Sequence, residues 1–191
     1  ARMDAGVAPQ LCGGTSEQSN GNGSLMRILP LAFSLLNQDA EARRNATFLV
    51  SALTHGHLRS QLACWYYVEI ARELMAALTH GAARNAPEFR GQAATSQGSA
   101  LIAPALRAAR STVEAWLPGQ DPDGEWDWFG RCTPDLAAVS RDSIESSGYV
   151  VHTLEAALWC LLTTDSFESA VLRAVNLGSD TDTTAVVCGG L

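Results

Sequence analysis

Residues 58–78, LRSQLACWYYVEIARELMAAL, carry apolar side chains at every fourth position. This spacing is typical of an α-helix that turns one apolar stripe toward a protein core. Residues 149–162, YVVHTLEAALWCLL, repeat the pattern. The apolar positions are Leu62, Tyr66, Ile70, Leu74 and Leu78 in the first segment, and Val150, Leu154, Leu158 and Leu162 in the second. We therefore expect two long helices buried near the centre of the molecule.

The other periodic segments also have the helical period, and none has the alternation of Val, Ile and Thr that would require a strand. These shorter helices are expected over residues 25–36, 41–53, 100–116 and 167–175. Loops or weak helices are expected over residues 1–24, 80–98 and 117–124. Three aromatic residues, Trp126, Trp128 and Phe129, are expected to pack over the core rather than line a pocket. The sequence thus predicts a single all-α domain over residues 1–191.

Length and composition restrict the class of protein. A chain of 191 residues is long enough to bury one core. The net charge of −7, without a run of Lys and Arg, argues against nucleic acid or an anionic membrane as partner, and no apolar run is long enough to cross a bilayer. The cysteines are widely spaced and lack a C-x-x-C motif, so we expect reduced thiols and a cytoplasmic location. They are Cys12, Cys64, Cys132, Cys160 and Cys188.

Residues 176–184, NLGSDTDTT, bring two carboxylates and several hydroxyls onto a glycine turn before an apolar run. Such hard oxygen ligands suit a divalent cation, and an irregular turn would let Asp180 and Asp182 converge beside Thr183. Two other interpretations exist. Ser179 and Asp182 have the S-x-x-D spacing of a capping box. The Asp-x-Asp-x-Thr spacing also occurs at the nucleophile of haloacid-dehalogenase-like phosphatases, which requires a buried strand that residues 174–177 are poorly suited to form.

Residues 19–27, SNGNGSLMR, place glycines and small amides at the start of an apolar helix. Glycine lets a backbone approach a ligand closely, and N–H groups at a helix start can bind phosphate. The alternative is a simple turn with an Asn or Ser N-cap. The helix is expected to face the core with Met26, Leu29, Phe33 and Leu36. His55 follows another helix, where a histidine is either a structural hydrogen-bonding residue or catalytic.

Together these segments resemble the ADP-ribosylglycohydrolase family, the DraG-like enzymes. The blocks that carry the resemblance are GNGSLMRILPLAF (21–33), ALTHGH (52–57), SSGYVVHTLEAALWCLL (146–162) and AVNLGSDTDTT (174–184). The resemblance extends over essentially the whole chain and implies a compact orthogonal helical bundle. It implies a hydrolase that cleaves the N- or O-glycosidic bond between ADP-ribose and a protein side chain or small acceptor, with two Mg²⁺ or Mn²⁺ ions.

The resemblance also implies roles for individual residues. Asp180, Asp182 and Thr183 match metal ligands of the family. Ser19, Gly21 and Asn22 match the loop that contacts the diphosphate and distal ribose, and His55 matches a histidine that borders the substrate cleft. Metals bound to ribose hydroxyls would orient the sugar and stabilise charge at the anomeric centre. The expected partner is an ADP-ribose-bearing protein or small molecule.

Two departures from the family pattern affect these expectations. Ser179 stands where the family more often has a second glycine. The N-terminal blocks of the family, which carry an acidic catalytic residue and a Thr-Asp-Asp metal motif, have no counterpart here. We therefore expect the chain to be the C-terminal two-thirds of an enzyme, with the general base outside it. The alternative is a non-catalytic relative that keeps the fold as a binding or structural protein, as some crystallins do.

Overall fold

The computed structural model describes residues 5–80 and 97–191. Within these ranges every regular element is helical, and β-structure is limited to two isolated bridges. The α-helices are α1 (Leu25–Ile28), α2 (Pro30–Ser34), α3 (Ala40–Ala52), α4 (Leu58–His80), α5 (Gln97–Trp116), α6 (Val150–Leu162), α7 (Phe167–Val175) and α8 (Thr181–Gly189). Short 3₁₀ turns lie at Pro9–Leu11, Glu17–Ser19, Glu125–Phe129, Pro134–Ala138 and Arg141–Ser143. The predicted all-α fold is confirmed.

Helix α4 lies at the centre of the molecule. Every residue from 62 to 71 is buried, so this part of the helix is enclosed on all faces rather than on one stripe. It packs against α3 and α5 along its length, and α1, α2 and α6 cover the remaining surface. Of the predicted stripe only Leu78, near the end of α4, is exposed.

Helix α6 is the second buried helix. Residues 153–160 are buried without interruption, and all four apolar positions predicted for its stripe lie in the core. Helices α7 and α8 pack against each other and against α6, while α6 also contacts α4 and α5. Helix α6 therefore joins the α7 and α8 pair to the rest of the bundle, which fixes the start of α8 relative to α1 and α4.

The single helix predicted over residues 25–36 is wrong, because the structure divides it at Pro30. Pro30 has no N–H to donate to the preceding turn, and it serves as the first residue of α2. Leu29 keeps helical torsion angles and links α1 directly to α2. The chain therefore continues in nearly the same direction with one interruption in the hydrogen bonding.

The core-facing stripe predicted for this segment is also wrong. Most of that stripe is solvent-exposed, with exposed fractions of 43% for Met26, 60% for Phe33 and 36% for Leu36. The neighbouring stripe is buried instead, at Leu25, Ile28 and Ala32. Both stripes are apolar and both fit the helical period, so periodicity alone does not select between them. Contact with α4 selects the second stripe.

The remaining sequence expectations have mixed outcomes. Trp126 and Phe129 are buried in the core as predicted, whereas Trp128 is 52% exposed. All five cysteines are free thiols, and four of them are buried. The loop expected over residues 80–98 falls largely outside the described residues. Among the helices of the described ranges, none combines the length and hydropathy needed to cross a membrane.

Candidate functional site

The turn before α8 is irregular. Gly178 and Ser179 both have left-handed backbone torsion angles, with φ of 94° and 59°. Asp180 follows with φ −90° and ψ 68° and stands at the N-cap position, while Asp182 and Thr183 lie in the first turn of α8. Because Asp180 is not helical, its carboxylate can turn toward a residue two positions later.

The two alternative interpretations of this segment are not supported. A capping box would place Ser179 at the N-cap, but Asp180 occupies that position. A phosphatase nucleophile motif would require a buried strand before it. Residues 174 and 175 instead end helix α7, and no strand is present in the described parts of the chain.

The left-handed torsion angle of Ser179 gives a stability prediction. A non-glycine residue in this conformation is strained, so Ser179→Gly is expected to stabilise the fold by ~1 kcal/mol, even though glycine is more flexible when unfolded. Urea unfolding of both proteins measures the change. Ser140, which has φ −68°, is the matched control, and Ser140→Gly should be neutral or destabilising. Equal changes in stability for Ser179→Gly and Ser140→Gly would show that the backbone of Ser179 is not strained.

The carboxylate of Asp180 contacts the glycine loop that precedes α1. Asn22 Nδ2 donates to Asp180 Oδ2 at 2.6 Å and to Thr153 Oγ1 at 2.8 Å. The two N–H groups of one amide therefore join the loop, α6 and the turn before α8. The backbone of Gly148 lies beside this carboxylate, since a Cβ at that position would be 3.4 Å from Asp180 Oδ2, an ordinary van der Waals distance.

The pKa of Asp180 is lowered from its ordinary value, chiefly by the hydrogen bond from Asn22. The side chain of Thr183 acts in the same direction, and burial opposes both. Thr183 therefore lies beside the Asp180 carboxylate, and Asp182 belongs to the same first turn of α8. Thr183 is buried, and its Oγ1 lies 3.8 Å from Met26 Sδ.

Removing the Asn22 amide should raise the pKa of Asp180. In Asn22→Leu we expect this pKa to return toward its ordinary value, which NMR titration of the carboxyl carbon measures. A depressed pKa stabilises the native state above the unfolded-state pKa, and this stabilisation is lost as pH falls through the folded-state pKa. The variant should therefore be less stable at neutral pH, and its free energy of unfolding should change less as the pH falls.

Asn45→Leu, on the exposed face of α3, serves as control, and the pKa of Asp180 should not change in it. An unchanged pKa of Asp180 in Asn22→Leu would show that the Asn22 amide does not lower it.

Backbone hydrogen bonds hold the glycine loop against the start of α6. Asn22 N donates to Gly148 O at 3.0 Å, and Val150 N donates to Asn20 O at 2.9 Å. These bonds flank Gly21, which forms an isolated antiparallel bridge with Tyr149. Ser19, at the other end of the loop, contacts Ser16 through their hydroxyls at 2.9 Å. Of the predicted loop residues, Asn22 therefore contacts the acidic turn, whereas Ser19 contacts Ser16 and Gly21 pairs with Tyr149.

His55 lies beside the same loop. A Cβ on Gly21 would be 3.4 Å from His55 Nε2, and one on Gly23 would be 3.1 Å from His55 Cε1. Thr54 Oγ1 accepts from Arg27 Nη2 and lies 2.7 Å from His55 Nδ1. The direction of the bond between Thr54 and His55 depends on which ring nitrogen of His55 carries the proton.

The pKa of His55 is lowered from its ordinary value by burial and, secondarily, by the positive charge of Arg27. Both effects favour the neutral ring at pH 7. The Nε2 edge of this ring lies beside the part of the loop that contains Gly21.

A buried arginine, which was not predicted from the sequence, lies next to the start of α6, against which the glycine loop packs. Arg59 is 4% exposed, and its Nε donates to Glu125 Oε2 at 2.6 Å. Its Nη1 donates to the Tyr149 hydroxyl at 2.9 Å, and its guanidinium lies 4.2 Å from the centre of the Trp128 ring. In the sequence, the signal for Arg59 was its charge near the start of a helix predicted to be buried. Thr153 and Gly148 were also missed as site residues, although both lie in a quoted block.

The oxygens of Asp180, Asp182 and Thr183 fit one part of a metal coordination shell. Mg²⁺ takes six oxygen ligands in near-octahedral geometry, and carboxylate and hydroxyl oxygens have the required hardness. Within residues 5–80 and 97–191, no group of three or more His, Cys, Asp and Glu side chains is arranged to hold a metal ion. Asp180, Asp182 and Thr183 alone supply fewer oxygen donors than the six that Mg²⁺ takes.

An all-helical bundle with an acidic turn against a glycine loop is the architecture expected for the family named above. Residues 1–191 match the family model for ADP-ribosylglycohydrolase. The chain belongs to the ADP-ribosylglycohydrolase family.

Curated relatives support this assignment. An ADP-ribosylarginine hydrolase of Pseudomonas putida is 31% identical over 171 residues, which are 90% of this chain and 37% of the relative. An ADP-ribosyl-[dinitrogen reductase] glycohydrolase of Rhodospirillum rubrum is 26% identical over 176 residues, 92% of this chain and 46% of the relative. The Serratia proteamaculans ADP-ribosylarginine hydrolase is 55% identical over a shorter stretch of 49 residues, 26% of this chain and 13% of that protein. The chain thus spans less than half the length of these relatives.

Proposed function

We propose that this chain forms part of a hydrolase that releases ADP-ribose from a modified protein side chain or small acceptor. The observation that carries the proposal is the hydrogen bond from Asn22 to Asp180, which joins the glycine loop and the acidic turn in one site. Family membership supports the reaction class. The names of two relatives, which specify ADP-ribosylarginine and ADP-ribosylated dinitrogen reductase, favour a protein-bound acceptor.

Asp180, Asp182 and Thr183 are proposed to hold Mg²⁺ or Mn²⁺ on one side. When bound, the metal would supply positive charge that orients ribose hydroxyls and stabilises charge developing at the anomeric carbon. The lowered pKa of Asp180 keeps this carboxylate ionised at neutral pH, as a hard cation requires. Asn22 fixes its orientation through the Thr153 contact, so the carboxylate needs no rearrangement before binding.

The glycine loop and His55 are proposed to bind the diphosphate and the distal ribose. A dianionic ligand on a protein of net charge −7 needs local donors. The backbone at Gly21 lies beside His55 Nε2, and glycine permits close approach of the ligand. Ser19 extends the row of hydroxyl and amide donors at the start of the loop. With the ring proton on Nε2, a neutral His55 would donate to the ligand without adding a charge.

ADP-ribose release from an ADP-ribosylarginine peptide with Mn²⁺ tests the proposal. We expect no turnover and weak metal binding from residues 1–191 alone, because they supply one side of a shell in which close carboxylates repel each other. A chimera that adds the parts of the Pseudomonas putida hydrolase outside the matched region should release ADP-ribose. Full activity of residues 1–191 alone would contradict the proposal that they supply only one side of the metal shell. An inactive but folded chimera that also fails to bind ADP-ribose would favour the non-catalytic alternative.

A further inference from the structure

A groove lies between the end of α6, helix α7 and the Arg141–Ser143 turn. It encloses about 630 Å³. Trp159, Leu172 and Leu177 form an apolar wall, and Arg141 and Arg173 lie at its edge. Leu172 is 54% exposed, whereas Trp159 is 6% exposed. Trp159 therefore lies at the bottom of the groove, and Leu172 is accessible to a ligand.

Both arginines are held in place by uncharged groups. Arg141 Nη2 donates to Leu177 O at 2.7 Å and to Asn176 O at 3.3 Å. Arg173 Nη1 donates to Thr163 O at 2.7 Å, and its guanidinium lies 5.4 Å from the centre of the Trp159 ring. A guanidinium has five N–H donors, so each retains donors beyond these contacts.

Neither guanidinium has a carboxylate partner in the described parts of the chain. Most other arginines there form ion pairs, for example Arg43 with Glu69 and Arg59 with Glu125. Two oriented guanidinium groups in one groove, without an ion pair among the described residues, are unusual on a protein of net charge −7. They are available to pair with carboxylates of a ligand.

We propose that this groove binds an acidic segment of a partner protein in which carboxylates flank a leucine-like side chain. Guanidinium groups with fixed orientation match carboxylates in geometry as well as charge. The apolar wall provides a contact surface for an aliphatic side chain between them. A continuous polyanion such as nucleic acid fits less well, because the net negative charge of the protein repels a long phosphate backbone.

The groove adjoins the candidate site but does not overlap it. The carbonyls that orient Arg141 belong to Asn176 and Leu177, which directly precede the Gly178 to Asp180 turn. A segment bound here would therefore lie next to the turn that carries Asp180. The binding site itself does not depend on the proposed hydrolase activity.

Fluorescence anisotropy tests the proposal with a labelled peptide, Gly-Ser-Glu-Glu-Leu-Glu-Glu-Ser-Gly, and a control peptide in which glutamine replaces each glutamate. At low salt the glutamate peptide should bind the 191-residue chain and the glutamine peptide should not. Arg173→Gln and Arg141→Gln should each weaken binding roughly fivefold, as expected for one exposed charge contact. Arg107→Gln, which alters an exposed arginine on α5 outside the groove, should leave binding unchanged.

A test variant and a matched control variant examine the contribution of the apolar wall. Leu172→Ser should weaken binding by a similar factor, whereas Leu49→Ser should not, although Leu49 is 53% exposed on α3. Arg173→Gln does not alter the carbonyl contacts of Asn176 and Leu177, so its effect is separable from damage to the turn. Equal binding of both peptides, or no effect of Arg173→Gln and Leu172→Ser, would overturn the proposal. Displacement of the peptide by inorganic pyrophosphate or oligo-dT at equal concentration would also overturn it in favour of a general anion site.

Discussion

Replacing Asp180 by alanine is expected to lower Mn²⁺ affinity and ADP-ribose release in the active chimera by about 100-fold or more. A hard cation depends on the charge of its ligands, and loss of even a supporting residue commonly costs 10–100-fold. Asp180 also accepts the Asn22 hydrogen bond that joins the glycine loop to the turn. Calorimetry with Mn²⁺ and an ADP-ribose release assay measure the two effects.

Asp165→Ala is the matched control for this prediction. Asp165 is exposed in the connection between α6 and α7, so its removal should change neither quantity. Unfolding curves should show that Asp180→Ala remains folded, which separates a lost ligand from a lost structure. Wild-type metal affinity in folded Asp180→Ala would exclude Asp180 as a ligand.

The largest stability effect is expected at Arg43. This buried side chain on α3 forms two hydrogen bonds with Glu69 on α4, Nε to Oε1 at 2.7 Å and Nη2 to Oε2 at 2.8 Å. Glu69 has no exposed surface, and Trp65 Nε1 also donates to it at 2.9 Å. Arg43→Met removes both of these hydrogen bonds and leaves Glu69 with Arg72, whose Nε donates to Oε2 at 3.2 Å. Because Arg72 compensates part of the buried charge, we expect the free energy of unfolding to fall by ~2–4 kcal/mol.

Chemical denaturation measures this loss, and the adjacent arginine provides the comparison. Arg44 is paired only at 3.5 Å with the exposed Glu41, so Arg44→Met should cost less than ~1 kcal/mol. The double variant Arg43→Met, Glu69→Leu should recover part of the stability, because it removes the buried carboxylate that has lost its main partner. A loss below ~1 kcal/mol in Arg43→Met would show that Glu69 is adequately satisfied by other groups.

The central helices could be predicted because their signal is local. The apolar positions of α4 and α6 recur with the helical period, and the bounds predicted for α7, residues 167–175, agree with the structure. The acidic turn and the glycine loop were recognised from residue type and spacing within short stretches. Their membership in one family followed from the order of these blocks along the chain.

The contacts between the blocks could not be predicted in this way. Asn22 and Asp180 are separated by 158 positions and meet because α6 holds both the loop and the turn. The Arg59 and Glu125 pair, 66 positions apart, likewise depends on how the chain returns to the start of α4. Which of two apolar stripes in residues 25–36 faces the core was decided by contact with α4.

The sequence by itself determined that the chain is helical, which helices are central and which short segments carry polar chemistry. Tertiary structure alone decided that Asn22 and His55 lie at one loop, that Asp180 is held by Asn22, and that Arg141 and Arg173 share a groove without a carboxylate partner among the described residues. The physical reason is the range of the interactions. Periodicity, turn chemistry and capping act over a few residues, whereas hydrogen bonds and ion pairs between distant segments depend on the packing of whole helices.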